Sequence, residues 1–106
     1  MDPDPEMVRA ALETGTDRVE LYTESYASGF AENPEKAIQP YVEAAKAARE
    51  VGLGLNAGHD LNLDNIRLFR ERIPGLLEVS IGHALICESL YLGLENVVNM
   101  YMHKLR

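Results

Sequence analysis

Two stretches of the chain, Leu53-Gly-Leu-Asn-Ala-Gly-His59 and Leu77-Glu-Val-Ser-Ile-Gly-His83, end in the same way. Each is a short, mainly apolar run that stops at Gly-His and then opens into a helical pattern. The spacing of the two histidines corresponds to about one strand–helix–strand step in a parallel sheet. Because ligands of parallel α/β folds sit at the carboxyl ends of the strands, we expect the two Gly-His corners to mark the functional edge of the sheet.

The rest of the chain has the periodicity of strands alternating with helices. Apolar alternation predicts strands at 18–22, 53–57 and 76–81, with helical patterns before, between and after them. The expected order is αβαβαβα, and its helix-length links imply parallel strands with right-handed crossovers. Residues 23–33 are predicted to form a polar loop. Pro40 is expected either to kink the helix that follows or to mark its true start.

Each predicted strand has one apolar face and one polar face, and the polar faces carry Glu20, Asn56 and Ser80. On the third strand, the apolar face is expected to include Leu77. Strands buried on both faces would be apolar throughout, so the polar faces must meet water or a polar cavity. A barrel lumen would satisfy this, but closing a barrel takes about eight strands. We therefore predict an α/β fold, a partial (β/α)8 TIM barrel, with residues 1–106 forming a single fragment of that domain.

Composition excludes several classes of function. The net charge is −7, with 10 Lys+Arg against 17 Asp+Glu and no basic cluster, so no nucleic-acid partner is expected. No apolar run reaches the length of a membrane span and no signal-peptide pattern is visible, so no membrane partner is expected. Cys87 is the only cysteine; this favours a reducing, cytoplasmic location, and we expect a buried, unreactive thiol. No metal-binding motif such as HExxH or CxxC is present, so no metal site is predicted.

The candidate site residues are the two Gly-His corners and one carboxylate. Glycine lets a backbone approach an anion closely, and imidazole can donate or accept a proton near neutral pH. Gly82-His83 leads directly into a helix, an arrangement that binds phosphate at the helix N-terminus. Glu20 lies between two apolar neighbours and should point to the polar face. Two alternatives stay open: the corners are tight turns with capping or packing histidines, and Glu20 is a solvated residue or a partner of Arg18.

Three segments closely resemble the pyridoxine 5′-phosphate synthase family, in order and with matching spacing: Arg18-Val-Glu-Leu-Tyr-Thr-Glu-Ser-Tyr-Ala27, Gly52-Leu-Gly-Leu-Asn-Ala-Gly-His-Asp-Leu61 and Glu78-Val-Ser-Ile-Gly-His-Ala-Leu-Ile86. The resemblance implies a (β/α)8 barrel assembled as a homo-octamer, of which this chain would be the C-terminal part with the last three strands. It also implies an enzyme of vitamin B6 biosynthesis without a metal or organic cofactor. That enzyme condenses 1-deoxy-D-xylulose 5-phosphate with 3-amino-2-oxopropyl phosphate and releases phosphate and water.

Residue roles follow from the same resemblance. Glu20 corresponds to the carboxylate that stabilises the transition state, and His59 to the proton donor. Gly82 and His83 correspond to contacts with the substrate phosphate, and Asp60 to a further substrate contact that is glycine in some members. The family's first five strands, with a histidine and a glutamate that act as general bases, have no counterpart here, so the chain alone is expected to be inactive. The alternative is a non-catalytic phosphate-binding or self-associating α/β module, since open sheet edges favour association.

Overall fold

The computed structural model describes residues 1–106 and contains one three-stranded parallel sheet connected by helices. The strands are β1 (Arg18–Tyr22), β2 (Gly54–His59) and β3 (Leu76–Ile81), hydrogen-bonded in the order β1-β2-β3. The helices are α1 (Pro5–Ala11), α2 (Glu24–Phe30), α3 (Pro34–Val51), α4 (Ile66–Arg72), α5 (His83–Leu92) and α6 (Leu94–Lys104). The predicted α/β class, with three parallel strands as in part of a (β/α)8 barrel, is confirmed.

Side-chain caps and prolines set where α1 and α3 begin. The carboxylate of Asp4 and the side-chain carbonyl of Asn33 each accept a backbone N–H in the first turn of α1 and α3, and each is followed by proline. Gly52, with φ of +79°, ends α3. Because α3 begins at Pro34 and continues through Pro40, the second of the two alternatives, that the helix starts at Pro40, is wrong.

The segment predicted as a polar loop contains α2, so that prediction is also wrong. The Ser and Gly residues of α2 are weak helix formers, but the helix also contains Tyr26, whose side chain is fully buried in the core. The Tyr26 ring lies 5.1 Å from the Phe69 ring and 6.0 Å from the Tyr41 ring, with Phe30 against its edge. Burial of this aromatic cluster stabilises a helix that the local sequence disfavours.

The core lies between the apolar face of the sheet and the helices. Small side chains along α3 let that helix pack closely against α1 and α2 above the sheet. The buried apolar residues are Val8, Ala11, Val19, Leu21, Tyr26, Ile38, Tyr41, Ala44, Ala45, Ala47, Ala48, Leu53, Leu55, Ala57, Leu61, Ile66, Phe69, Ile73, Val97 and Tyr101.

The third strand contains an irregularity that changes one predicted orientation. Leu76 pairs with Leu55 and Glu78 pairs with Asn56, which leaves Leu77 as an extra residue. Its side chain is 55% exposed and lies over Gly54 on the polar face. The prediction that Leu77 belongs to the apolar face is therefore wrong, because a bulge breaks the two-residue alternation on which it depended.

The last two helices pack against each other and leave apolar side chains in solvent. No residue of α5 is fully buried, whereas α6 contributes Val97 and Tyr101 to the core. None of the helices has the combination of length and apolar composition needed to cross a bilayer. The exposed apolar residues of the two helices are Ile86, Leu90, Tyr91, Leu92, Leu94, Val98, Met100 and Met102, which we call the α5–α6 surface.

Candidate functional site

The carboxyl ends of the three strands meet at one edge of the sheet. Tyr22 at the end of β1 pairs with Gly58, and His59 at the end of β2 pairs with Ile81. Gly82 and His83 follow Ile81 directly. The structure thus places the two Gly-His corners at the ends of neighbouring strands, as the sequence predicted.

Glu20 and His59 lie in contact across two strands. The Oε1 atom of Glu20 is 3.5 Å from Nδ1 of His59, and both side chains are partly exposed to solvent. Because the carboxylate faces Nδ1, the other ring nitrogen, Nε2, is left to meet a ligand. Arg18 contacts Glu78 instead, at 3.5 Å, so the structure does not support a pairing of Glu20 with Arg18.

The Glu20 carboxylate passes directly over Gly58 to reach His59. A Cβ atom at Gly58 would lie 2.9 Å from Oε1 of Glu20 and 2.7 Å from the backbone oxygen of Ser80. Neither distance accommodates a carbon atom. The glycine is therefore needed so that the Glu20 carboxylate can lie over β2 and reach His59.

His59 has an unusual backbone conformation. Its φ of +81° makes it the only non-glycine residue of the chain in the left-handed region, where a side chain costs about 1–2 kcal/mol. Strain of this kind persists only where surrounding contacts enforce it, and it is concentrated at functional sites. The conformation turns the chain sharply at the point where the imidazole meets Glu20.

Thr23, predicted only as part of a loop, contacts the backbone immediately before and immediately after His59. Its side chain is fully buried. The hydroxyl donates to the backbone oxygen of Gly58 and accepts the backbone N–H of Asp60, the second at 3.3 Å. The only sequence signal for this role was a hydroxyl residue at the carboxyl end of a strand, which is too common to be informative.

Asp60 is half-buried, and both of its backbone polar groups are already used. Its N–H donates to Thr23, and its carbonyl accepts the side-chain N–H of Asn65 at 3.3 Å. Asn65 is itself buried and exchanges hydrogen bonds with Asn62, which fixes the loop after β2. The carboxylate of Asp60 is consequently the group left to reach a ligand, and its substrate contact stays a prediction.

The N-terminus of α5 forms the second corner. No side chain caps this ten-residue helix, and a Cβ atom at Gly82 would meet nothing within 4 Å. Uncapped N–H groups at a helix start attract anions, and His83 is exposed as the first helical residue. Nε2 of His83 is 3.5 Å from Sγ of Cys87. Cys87 is only half-buried, so the prediction of a buried thiol is wrong: α5 lies at the surface.

The polar face below this edge carries a small hydrogen-bond network. The side-chain N–H of Asn56 donates to Glu78 at 3.4 Å, while its Oδ1 atom is buried and accepts no hydrogen bond from the chain. Glu78 in turn contacts Arg18. The structure contains no group of three or more His, Cys, Asp or Glu side chains arranged to hold a metal ion.

Two buried tyrosines connect the elements behind the site. The Tyr41 hydroxyl donates to the backbone oxygen of Tyr22 at 2.6 Å, and the Tyr26 hydroxyl donates to the backbone oxygen of Asn65 at 2.5 Å. Burial raises the pKa of both phenols, so both remain protonated donors well above neutral pH. Tyr41 thereby fixes α3 to the end of β1, and Tyr26 fixes α2 to the loop that follows β2.

The sequence is similar to a family of biosynthetic enzymes over its entire length. The family model described as "Pyridoxal phosphate biosynthesis protein PdxJ" matches residues 1–106. The chain is 62% identical over 106 residues to the pyridoxine 5′-phosphate synthase of Flavobacterium johnsoniae. It is 59% identical over 103 residues to that of Bacteroides thetaiotaomicron and 55% identical over 105 residues to that of Porphyromonas gingivalis.

These matches cover nearly all of this chain but less than half of each relative. The aligned part is 100% of the chain and 45% of the Flavobacterium protein, 97% and 44% for the Bacteroides protein, and 99% and 44% for the Porphyromonas protein. The chain thus spans under half the length of the curated relatives it matches. The family model nevertheless matches this chain from its first residue to its last. The chain therefore belongs to the PdxJ family of pyridoxal phosphate biosynthesis proteins.

Proposed function

We propose that this chain carries the proton-donating and phosphate-binding part of a pyridoxine 5′-phosphate synthase active site. The observation that carries the proposal is the 3.5 Å contact between Glu20 and Nδ1 of His59 at the carboxyl edge of the sheet. Family membership supports it, because the matched relatives bear that enzyme's name. The uncapped start of α5, which directly follows the neighbouring strand β3, supports the proposal independently.

In this proposal His59 is the acid and Glu20 its electrostatic partner. Nε2 of a protonated His59 donates its proton to a substrate hydroxyl, which then leaves as water. The Glu20 carboxylate at Nδ1 keeps the ring oriented and stabilises positive charge that develops beside it. The condensation proposed is that of 1-deoxy-D-xylulose 5-phosphate with 3-amino-2-oxopropyl phosphate.

The phosphate group of the substrate would bind at the start of α5. Backbone N–H groups of the first turn point out of the helix, and the helix dipole favours negative charge there. Gly82 leaves space for the phosphate oxygens because it has no side chain, and His83 can add a donor. This corner binds an anion without any surface cluster of basic residues, in keeping with the net charge of −7.

An NMR titration with inorganic phosphate tests the phosphate-binding half of the proposal. We expect amide shifts to concentrate at Gly82, His83 and the next turn, at millimolar phosphate and constant ionic strength. His83→Ala should weaken the response, whereas His103→Ala, which changes a histidine of α6 outside this corner, should leave it unchanged. Amide resonances that do not move at the start of α5, or that move equally in a chloride titration, would contradict the proposal.

An assay of ring formation tests the relation of this chain to the whole reaction. Catalytic groups act as a unit, and the resemblance assigns two general bases to segments without a counterpart in this sequence. We therefore expect the purified 106-residue chain to form no pyridoxine 5′-phosphate above background, and a cytoplasmic homo-octamer of complete barrels to be the active form. Measurable turnover by the chain alone would contradict this.

A non-catalytic, self-associating module is the second candidate function. The observation in its favour is the α5–α6 surface, where eight large apolar side chains are exposed to solvent. The two candidates differ in what they require of Glu20 and His59. Only the enzyme needs their contact, so Glu20→Gln should impair the proposed chemistry and leave self-association of the chain unchanged.

A further inference from the structure

Thr23 occupies a position from which one hydroxyl can control the backbone of His59. The Gly58 carbonyl, which accepts from Thr23, belongs to the peptide group that precedes His59. The Asp60 N–H, which donates to Thr23, belongs to the peptide group that follows it. The orientations of these two peptide planes define φ and ψ of His59. A single oxygen atom thus holds both planes.

The conformation that Thr23 holds is one that His59 would not adopt readily by itself. Its φ of +81° lies in the left-handed region, which is disfavoured for any residue with a side chain. An extended backbone at this point would carry the imidazole away from Glu20, because successive side chains of a strand point to opposite faces. Strained backbone of this kind requires contacts that over-determine it.

We propose that Thr23 is a positioning residue that fixes the His59 imidazole against Glu20. Its hydroxyl acts through the two peptide groups that flank His59 and does not reach the polar face itself. Burial makes the role specific, since Thr23 is 0% exposed and water cannot replace the hydroxyl without opening the core. The catalytic meaning of this positioning rests on the proposed function of His59 as a proton donor.

Substitutions at Thr23 separate the hydroxyl from the methyl group. Thr23→Val keeps the shape and removes the hydroxyl, Thr23→Ser keeps the hydroxyl and removes the methyl group, and Thr23→Ala removes both. Thr16→Val is the matched control, because the Thr16 hydroxyl also donates to a backbone carbonyl, that of Arg18 at 2.8 Å, outside the His59 corner.

Two NMR readouts report the His59 corner directly. A positive φ brings the amide proton and the Hα of the same residue close together, so His59 should give a strong intraresidue NOE. The Asp60 amide should be protected from hydrogen exchange. In Thr23→Val we expect the NOE to weaken and the Asp60 amide to exchange about tenfold faster or more. Thr23→Ser and Thr16→Val should retain both signals.

Several outcomes would overturn the proposal. It fails if the Asp60 amide is unprotected in the unmodified chain, or if Thr23→Val keeps both signals. It also fails if Thr23→Ser loses them as Thr23→Val does, because the methyl group would then be responsible. If Thr23→Val does not fold, Thr23→Ser compared with Thr23→Ala decides, and equal signals in those two variants contradict the proposal. None of these readouts depends on phosphate binding, so the proposed function can fail separately.

Discussion

Gly58 shows how one missing side chain can decide the geometry of a site. The Glu20 carboxylate and the backbone of Ser80 fill the space where a Cβ atom would stand. At the second corner the same residue type has a different reason to be present. Gly82 has open space around it, so the packing of this chain does not by itself require a glycine there.

A pair of alanine substitutions tests this difference. Gly58→Ala should lower the free energy of unfolding by about 1–3 kcal/mol, because the new methyl group must displace Ser80 or the Glu20 carboxylate. Gly82→Ala should change it by less than about 0.5 kcal/mol, as expected of an exposed, uncrowded position. Urea unfolding followed by circular dichroism measures both. Equal losses in the two variants would contradict the argument that crowding requires a glycine at position 58.

At the scale of elements, α3 combines good capping with an unfavourable interior residue. It begins with Asn33-Pro34, ends at Gly52, and buries a continuous face of small and aromatic side chains. Pro40 lies in its seventh position with no N–H to donate to the preceding turn. The helix continues through it because burial of that face outweighs the loss.

Replacing this proline should therefore stabilise the chain. Pro40→Ala restores one backbone hydrogen bond and removes the ring from the preceding turn, and we expect the free energy of unfolding to rise by about 1–3 kcal/mol. Gln39→Ala, at the exposed neighbouring position, serves as the control and should have an effect below about 0.5 kcal/mol. A loss of stability in Pro40→Ala would mean that the proline shapes the packing of α3 in a way the helix needs.

At the scale of the whole molecule, the two outer edges of the sheet and the α5–α6 surface are left partly or fully uncovered. The outer edge of β1 is partly occupied by Met1, whose amine and carbonyl hydrogen-bond to the backbone of Glu20 and Tyr22. The outer edge of β3 pairs with no strand. The α5–α6 surface exposes Leu90 and Tyr91 almost completely, at 80% and 89%. These features favour association between copies of the chain.

Association through the α5–α6 surface can be measured by sedimentation velocity or light scattering. We expect the chain to form oligomers at concentrations of about 100 μM, and Leu90→Glu to weaken association by tenfold or more, because a charge must then be desolvated in the interface. Met7→Glu, on the exposed side of α1, should have little effect. A monomer at this concentration, or equal effects of the two variants, would contradict the expectation.

The buried tyrosines make the free energy of unfolding vary with pH in the alkaline range. In the folded state burial raises the pKa of Tyr26, Tyr41 and Tyr101. In the unfolded chain the same phenol groups lose their protons at about pH 10. Above that pH the folded state binds more protons than the unfolded state, so the free energy of unfolding must fall as pH rises, by at most about 1.4 kcal/mol per pH unit for each phenol.

Urea unfolding at pH values from 8 to about 11 tests this sign. Tyr26→Phe should lower stability at neutral pH by about 1 kcal/mol, through loss of its hydrogen bond to Asn65, and should reduce the decline above about pH 10. Phe30→Leu, which perturbs the same cluster without a titratable group, should keep the full decline. Stability that is constant across this range would contradict the prediction.

The sequence by itself determined the parallel α/β fold, the order and approximate positions of the three strands, and the two Gly-His corners; β2, expected at 53–57, runs from Gly54 to His59. Those features depend on local alternation, capping and spacing, which are written in consecutive residues. Only the tertiary structure decided that α2 is helical, that Leu77 turns to the polar face, and that Thr23 holds His59. Each of these depends on residues far apart in the chain: the aromatic partners of Tyr26, the register of β3 against β2, and a hydroxyl that reaches from the end of one strand to the end of the next. Periodicity carries no information about such contacts, because they are set by packing in three dimensions.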